Sequence, residues 1–391
     1  MITATRLNLP RTDGSLEAYD LGGPSPWPTR AAPPRARLAF AAAHVVADPL
    51  AAAEPWLEPA VDWDSTLAFR RHLWDLGMSI AEAMDTAQRG MGLDWSTSEE
   101  LIRRSLAEAR ALGAEVRIAC GAGTDQLEPG TYSLDRIVEA YLEQCEVVES
   151  QGGRVILMAS RALAASVQSA DGYAQVYARV LGQLSQPAII HWLGDMFDPA
   201  LAGYWGSTDL DTATRTCLDV LAANASHVDG IKISLLDKQR EIDLRRQLPA
   251  GVRMYTGDDF NYPELILGDE LGASDALLGI FDAIAPAAAA ALAALDAGER
   301  AAYLEILEPT VALSRQIFRA PTRFYKTGVV FLAYLNGHQN HFRMIGGQES
   351  ARSILDLCEV FRLADKARLL RDPELVARRM RQVLALAGVD P

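Results

Sequence analysis

Short apolar segments alternate eight times with longer amphipathic ones in this chain, which marks it as α/β and specifically as a (β/α)8 TIM barrel. The units recur roughly every 25–45 residues, the rhythm a strand–helix repeat requires. Polar residues gather where the strands should end, the face on which such barrels carry their chemistry. The 391 residues exceed the ~250 of a bare barrel, leaving room for an arm before it and an extension after it.

Residues 1–36 form the arm. Gly22 to Pro34 is rich in proline, and neither helical nor strand periodicity is visible, so an irregular segment is expected. Barrel strands are expected at Arg37–Val46, Ser79–Met84, Val116–Cys120, Val155–Ser160, Ala188–Trp192, Val228–Ser234, Val252–Thr256 and Ala276–Ile280. Between them, Ser98–Leu112, Leu134–Ser150, Asp171–Leu184 and Thr212–Ala225 have helical spacing. The barrel is assigned 37–296. Residues 297–391 show no strand pattern and read as a helical extension, with helices at Ala301–Phe318, around Phe331, at Ser350–Leu370 and at Pro373–Leu386.

Composition narrows the function classes. The net charge is −14, with 51 acids against 37 bases. Such a surface repels phosphate backbones and anionic lipid, so neither nucleic acid nor membrane is an expected partner. Apolar residues make up 49% of the chain, ample for a core. No apolar run reaches the ~20 residues of a spanning helix, and Met1–Gly14 lacks the apolar stretch of a secretory signal. Cys120, Cys145, Cys217 and Cys358 form no CxxC pair and no zinc spacing, and read as reduced, buried thiols of a cytoplasmic protein.

The strand ends carry the candidate chemistry. The first presents His44 and Asp48, the second Glu82, Asp85 and Thr86, the third Gly121–Asp125, and the fourth Ser160 and Arg161. The fifth presents His191, Trp192 and Asp195, the sixth Lys232, and the seventh Thr256–Asp259. Lys232 is the sharpest signal. The chain has only four lysines, and this one sits between Ile231 and Ile233, which face outward if Lys232 faces into the barrel. Burial lowers an amine's pKa, and a neutral amine attacks carbonyls. The bland reading is a lysine paired with Asp258 or Asp259. His191 suits proton transfer, against the bland reading of a core histidine. Asp125 and Asp259 read as helix caps. Gly121–Thr124 has too little of any nucleotide motif to imply one. His338 and His341 read as a surface or interface segment, and Tyr204-Trp205 as a lid or as packing.

These residues resemble the dihydrodipicolinate synthase and N-acetylneuraminate lyase superfamily of class I, Schiff-base aldolases, in a divergent dihydrodipicolinate synthase-like branch of unknown function. The resemblance runs from about Arg37 to the C-terminus and rests on GIK at Gly230–Lys232 and TGDD at Thr256–Asp259. GAGTD at Gly121–Asp125 and GASDALLGI at Gly272–Ile280 add to it. It implies an imine on Lys232, with Gly257 and Asp258 beside the substrate. Two positions depart from the family pattern. Where it has a GTTGE-like carboxylate-binding loop, this chain reads MDTAQRG and keeps only Thr86. Where it has a proton-relaying tyrosine on the fifth strand, this chain has His191.

The expected function is therefore a Schiff-base lyase, an aldolase or dehydratase acting on a small keto acid or sugar-derived keto compound. Lys232 and His191 would be catalytic, and Asp85, Thr86, Asp195, Gly257 and Asp258 would bind substrate. No cofactor is expected beyond the covalent lysine imine, and the partners are a small-molecule substrate and further copies of the chain. One alternative is a sugar isomerase or epimerase holding a divalent metal on His44, Glu82, His191 and Asp195. A second is a non-catalytic ligand-binding barrel.

Overall fold

The computed structural model describes residues 5–113 and 117–389. Val116, the first residue of the expected third strand, lies outside them, as do the first four residues of the arm and the last two of the extension. The chain forms two compact units. One comprises residues 37–43 and 79–279, and the other residues 1–36, 44–78 and 280–391.

The first unit holds the barrel strands. Those of the arm are β1 (Arg6–Pro10) and β2 (Leu16–Asp20). The barrel strands are β3 (Ala39–Ala42), β4 (Ser79–Glu82), β5 (Ile118–Ala122), β6 (Arg154–Leu157), β7 (Ala188–Leu193), β8 (Val228–Ser234), β9 (Arg253–Thr256) and β10 (Asp275–Leu278). The eight close into a parallel barrel, β10 pairing with both β9 and β3. Within the unit, helices follow the strands, including Trp95–Leu112, Leu134–Ser150, Leu210–Ala223 and Lys238–Arg245. Asp94, Ser133, Asp209 and Asp237 cap these helices by accepting a backbone N–H of the first turn, which relieves donors the helix leaves unpaired.

The barrel interior packs Phe40, Ala42, Ala81, Ala119, Ile156, Ile189, Tyr255 and Leu277 into one apolar cluster. Small residues on β3, β4 and β5 make room for the large ring of Tyr255. Gly230 does the same from β8, since a Cβ there would stand 2.7 Å from Tyr255 Cε2. Inward positions alternate along a strand, so Gly230 and Lys232 share the interior face.

β3 is much shorter than the expected Arg37–Val46, because Ala43 onward leaves the ladder. Ile280 begins a helix rather than ending a strand.

The second unit is helical, with Trp63–Asp75, Ile280–Asp296, Arg300–Ile317, Tyr325–Leu335, Ile354–Lys366 and Pro373–Leu386. Every residue of Tyr325–Leu335 is buried. The expectation of an irregular arm needs correcting, for β1 and β2 form an antiparallel hairpin. Leu7 and Leu9 are buried while Arg6 and Asn8 are exposed, and Gly14 turns the chain at φ +82°. That alternation spans only five residues, too few to stand out beside the proline-rich stretch. Tyr19 fastens the hairpin by donating to Asp365 Oδ2 at 2.8 Å. All four cysteines are free and buried. Among the described residues no helix is long and apolar enough to cross a membrane.

Candidate active site

β8 carries Lys232 in direct register with His191 on β7 and Tyr255 on β9. The lysine is 5% exposed and His191 is fully buried. Burial pulls the Lys232 amine below its ordinary value, although the charges of Asp85 and Asp259 oppose the fall. Burial also holds His191 well below the usual imidazole range, and the nearby lysine adds to this. His191 Nε2 lies 3.2 Å from Ser234 Oγ, and its buried Nδ1 has no partner among the described residues.

Gly257 gives the lysine its room. A Cβ at this position would lie 2.8 Å from Lys232 Cε and 2.7 Å from Ile233 O. The two acids after it exchange their expected parts. Asp258 turns back into its own loop, accepting from the backbone N–H groups of Phe260 at 2.8 Å and Asn261 at 3.0 Å and from the Asn261 side chain at 2.8 Å. Asp259, expected as a cap, is one of the two acids acting on Lys232.

The expected residues of the second loop divide similarly. Ala83 adopts φ +52°, and the chain then enters a short 3-10 turn at Asp85–Ala87. Asp85 acts on Lys232, whereas Thr86 is 1% exposed. Glu82 is fully buried, and its Oε1 accepts from the Ala83 N–H at 2.9 Å. Asp195 is exposed.

A cavity of about 500 Å³ opens across the loops after β4, β5, β6 and β7, a volume typical of small-molecule sites. Asp85, Thr124, Ser160, Arg161 and Asp198 line it. Neither Lys232, His191 nor Asp195 does; Asp85 is the residue that both lines the cavity and acts on the lysine. Thr124 Oγ1 and Ser160 Oγ are hydrogen-bonded at 2.6 Å. Arg161 donates to Asp198 Oδ2 at 2.5 Å.

Arg89, another lining residue, gave no sign in the sequence, being one arginine among thirty-three. It donates to both oxygens of Asp125, at 2.8 and 2.6 Å, to the Gly121 carbonyl at 2.6 Å and to Gln144 Oε1. Burial pushes Asp125 up, but the charge and hydrogen bonds of Arg89 outweigh it and hold the acid at about 2. Asp125 is thus an ion-pair partner rather than a cap. Asp198 was missed because an acid before Pro199 reads as a helix cap, a part it also plays by accepting from Ala200 N at 3.2 Å.

Of the residues named for a metal, His44, His191 and Glu82 have other partners and Asp195 is exposed. His44 Nδ1 is 2.8 Å from Asp282 Oδ2 in the second unit, and His191 is beside Ser234. Among the described residues no group of three or more histidine, cysteine or carboxylate side chains is placed to hold a metal ion. Tyr204 and Trp205 are buried and packed against Tyr173 and Tyr177, so they are core rather than a lid. His338 packs against His72 in the second unit, ring centroids 4.3 Å apart and tilted by 37°, rather than lying on the surface.

The eight parallel strands close into a barrel, a fold that solved structures of the dihydrodipicolinate synthase family also have. Three of the solved structures with that fold serve for comparison. A putative dihydrodipicolinate synthetase from Pseudomonas aeruginosa is 15% identical, with a TM-score of 0.64 over 85% of this chain and 99% of that one. A prophage protein of the dihydrodipicolinic acid synthase family from E. coli K12, solved in complex with pyruvate, is 12% identical with a TM-score of 0.65, over 85% and 99%. Dihydrodipicolinate synthase from Thermotoga maritima is 16% identical with a TM-score of 0.63, over 86% and 100%. No curated protein matches the sequence. The chain belongs to the family described as "Protein of unknown function (DUF993)", whose model spans residues 7–389.

Proposed function

We propose that this protein is a Schiff-base lyase, an aldolase or dehydratase of class I type, acting on a small keto compound through Lys232. The observation that carries the reading is a single inward lysine, nearly buried, in register with a buried histidine and under the influence of Asp85 and Asp259. Burial favours the neutral amine, whose lone pair attacks the substrate carbonyl carbon. A C–N bond forms, one amine proton and one proton from solvent pass to the carbonyl oxygen, which leaves as water, and the nitrogen keeps its other proton as an iminium. As an aldolase the iminium takes up the Cα–Cβ bonding pair while the β-hydroxyl loses its proton and becomes a carbonyl; as a dehydratase it takes up the Cα–H pair while the β-hydroxyl departs with its own pair and a proton as water. His191, in register with Lys232 and kept neutral by burial and the lysine, offers a proton acceptor beside the amine, its Nδ1 having no partner among the described residues. The similarity in fold to the pyruvate-bound E. coli protein supports the reading. No resident cofactor is required, and the partner is the small-molecule substrate.

Borohydride reduction in the presence of a panel of keto acids and ketoses tests the mechanism. A stable adduct should map to the Lys232 peptide and disappear in Lys232→Ala, with the melting temperature little changed. Near-wild-type turnover in Lys232→Ala would exclude the imine.

A further inference from the structure

We infer that the cavity selects an uncharged, polyhydroxylated ketone over an anionic 2-keto acid; this inference rests on the imine reading of Lys232. A carboxylate ligand needs hydrogen-bond donors and positive charge, while a polyol needs acceptors as well as donors. Both cations lining the cavity are already committed. Arg89 has five N–H donors, and all are used. Nε donates to Asp125, Nη1 to the Gly121 and Ala83 carbonyls, and Nη2 to Asp125 and Gln144. Arg161 is paired with Asp198 at 2.5 Å, and its Nη2 also donates to the Gly90 carbonyl at 3.3 Å.

The remaining charge on the wall is negative. Asp85 and Glu128 also line the cavity, and no third cation does among the described residues. A carboxylate entering here meets acids that repel it, and the guanidinium with donors to spare, that of Arg161, is already neutralised by Asp198. Substrate hydroxyls, by contrast, can donate to Asp85, Glu128 and Asp198. They can also exchange hydrogen bonds with the hydroxyl pair of Thr124 and Ser160. The loop after β4 points the same way. Its one hydroxyl, on Thr86, is buried, and its one guanidinium is that of Arg89. The tight Arg161–Asp198 pair therefore works as a specificity element, cancelling the one cation that retains unused donors.

The test is competitive trapping on the full-length protein. Ribulose and xylulose are compared with pyruvate at equal concentration under borohydride, and the Lys232 peptide is quantified by mass. Wild type should take the ketoses at least about tenfold more than pyruvate. Asp198→Asn removes the charge that neutralises Arg161 and should raise pyruvate labelling about tenfold, the factor of one charge-assisted hydrogen bond. Glu128→Gln, on an exposed loop, should shift the ratio the same way and serves if Asp198→Asn folds poorly. Lys232 adducts with pyruvate equal to or above those with ketoses would overturn the selectivity while keeping the imine. No Lys232 adduct with either class would overturn the imine reading, and the inference with it.

Discussion

At the residue scale, the case turns on how little space surrounds one amine. Lys232 is inward because strand alternation puts it there, and reactive because burial costs its charged form more than Asp85 and Asp259 return. Gly257 is the third requirement. A methyl group at that position would stand 2.8 Å from Lys232 Cε and 2.7 Å from the Ile233 carbonyl. Ser234 Oγ lies closer still; the carbonyl belongs to the β8 ladder and cannot yield, so the serine hydroxyl and the lysine must. Gly257→Ala should cost about 1–3 kcal/mol of stability by overpacking and cut the rate of borohydride trapping at Lys232 by tenfold or more. A variant that melts lower but traps at the wild-type rate would show that the lysine does not depend on this gap.

At the element scale, the loop bearing Gly257 is fixed from below by a buried acid. Glu241, on helix Lys238–Arg245, accepts from Thr256 Oγ1 at 2.9 Å and from Ser274 Oγ at 2.7 Å. Thr256 in turn accepts from the Asp258 N–H at 3.2 Å. Burial, aided by the charge of Asp258 and opposed by the two hydroxyls and Arg245, raises Glu241 to about 8. The folded state therefore holds a proton that the unfolded chain, at about 4.5, releases. This stabilisation is full below about pH 4.5 and is lost as pH rises through 8. Glu241→Gln cannot ionise, so its melting temperature should fall less than the wild type's between pH 6 and 9. Parallel losses would show that Glu241 does not titrate in this range. None of this was legible in the sequence, where Glu241 is one acid on a polar helix. Burial by a tertiary contact leaves no periodic trace. What was legible had a repeating cause. Strand β8 and helices Leu134–Ser150 and Pro373–Leu386 were expected with the bounds they have, because alternation or amphipathic spacing persists through each. The inward Lys232 followed from alternation as well. The β1–β2 hairpin and the Arg89–Asp125 pair depend on short patterns or long-range pairing, and the chain gives neither away.

At the scale of the whole molecule, two opposing responses to acid can be separated. The chain carries −14 at neutral pH, so lowering the pH relieves self-repulsion and on that ground alone should stabilise it. The second unit opposes this. His72 and His338 pack ring to ring at 4.3 Å, and Phe69 meets His338 at 5.1 Å and His44 at 4.3 Å. Burial, reinforced by Arg371 and opposed by Asp282 and Asp75, holds His72 at about 4. Burial together with the charges of His72, Arg371, His44 and Arg379 keeps His338 well below its usual range. The unfolded chain protonates both rings near 6.5 and the folded one does not, so stability falls as pH drops from about 6.5 toward 4. Surface pairs relieved or lost over that interval contribute about 0–1 kcal/mol each and are screened by salt. Two desolvated rings outweigh them, so the net change on acidification should be a loss. The melting temperature at 0.15 M salt should therefore be lower at pH 5 than at pH 7, and His72→Phe, which keeps an aromatic ring against His338 and removes the proton site, should narrow the difference. If the wild type melts higher at pH 5, charge relief dominates and the histidine cluster does not govern acid stability. If His72→Phe leaves the difference unchanged, His72 is not the ring responsible.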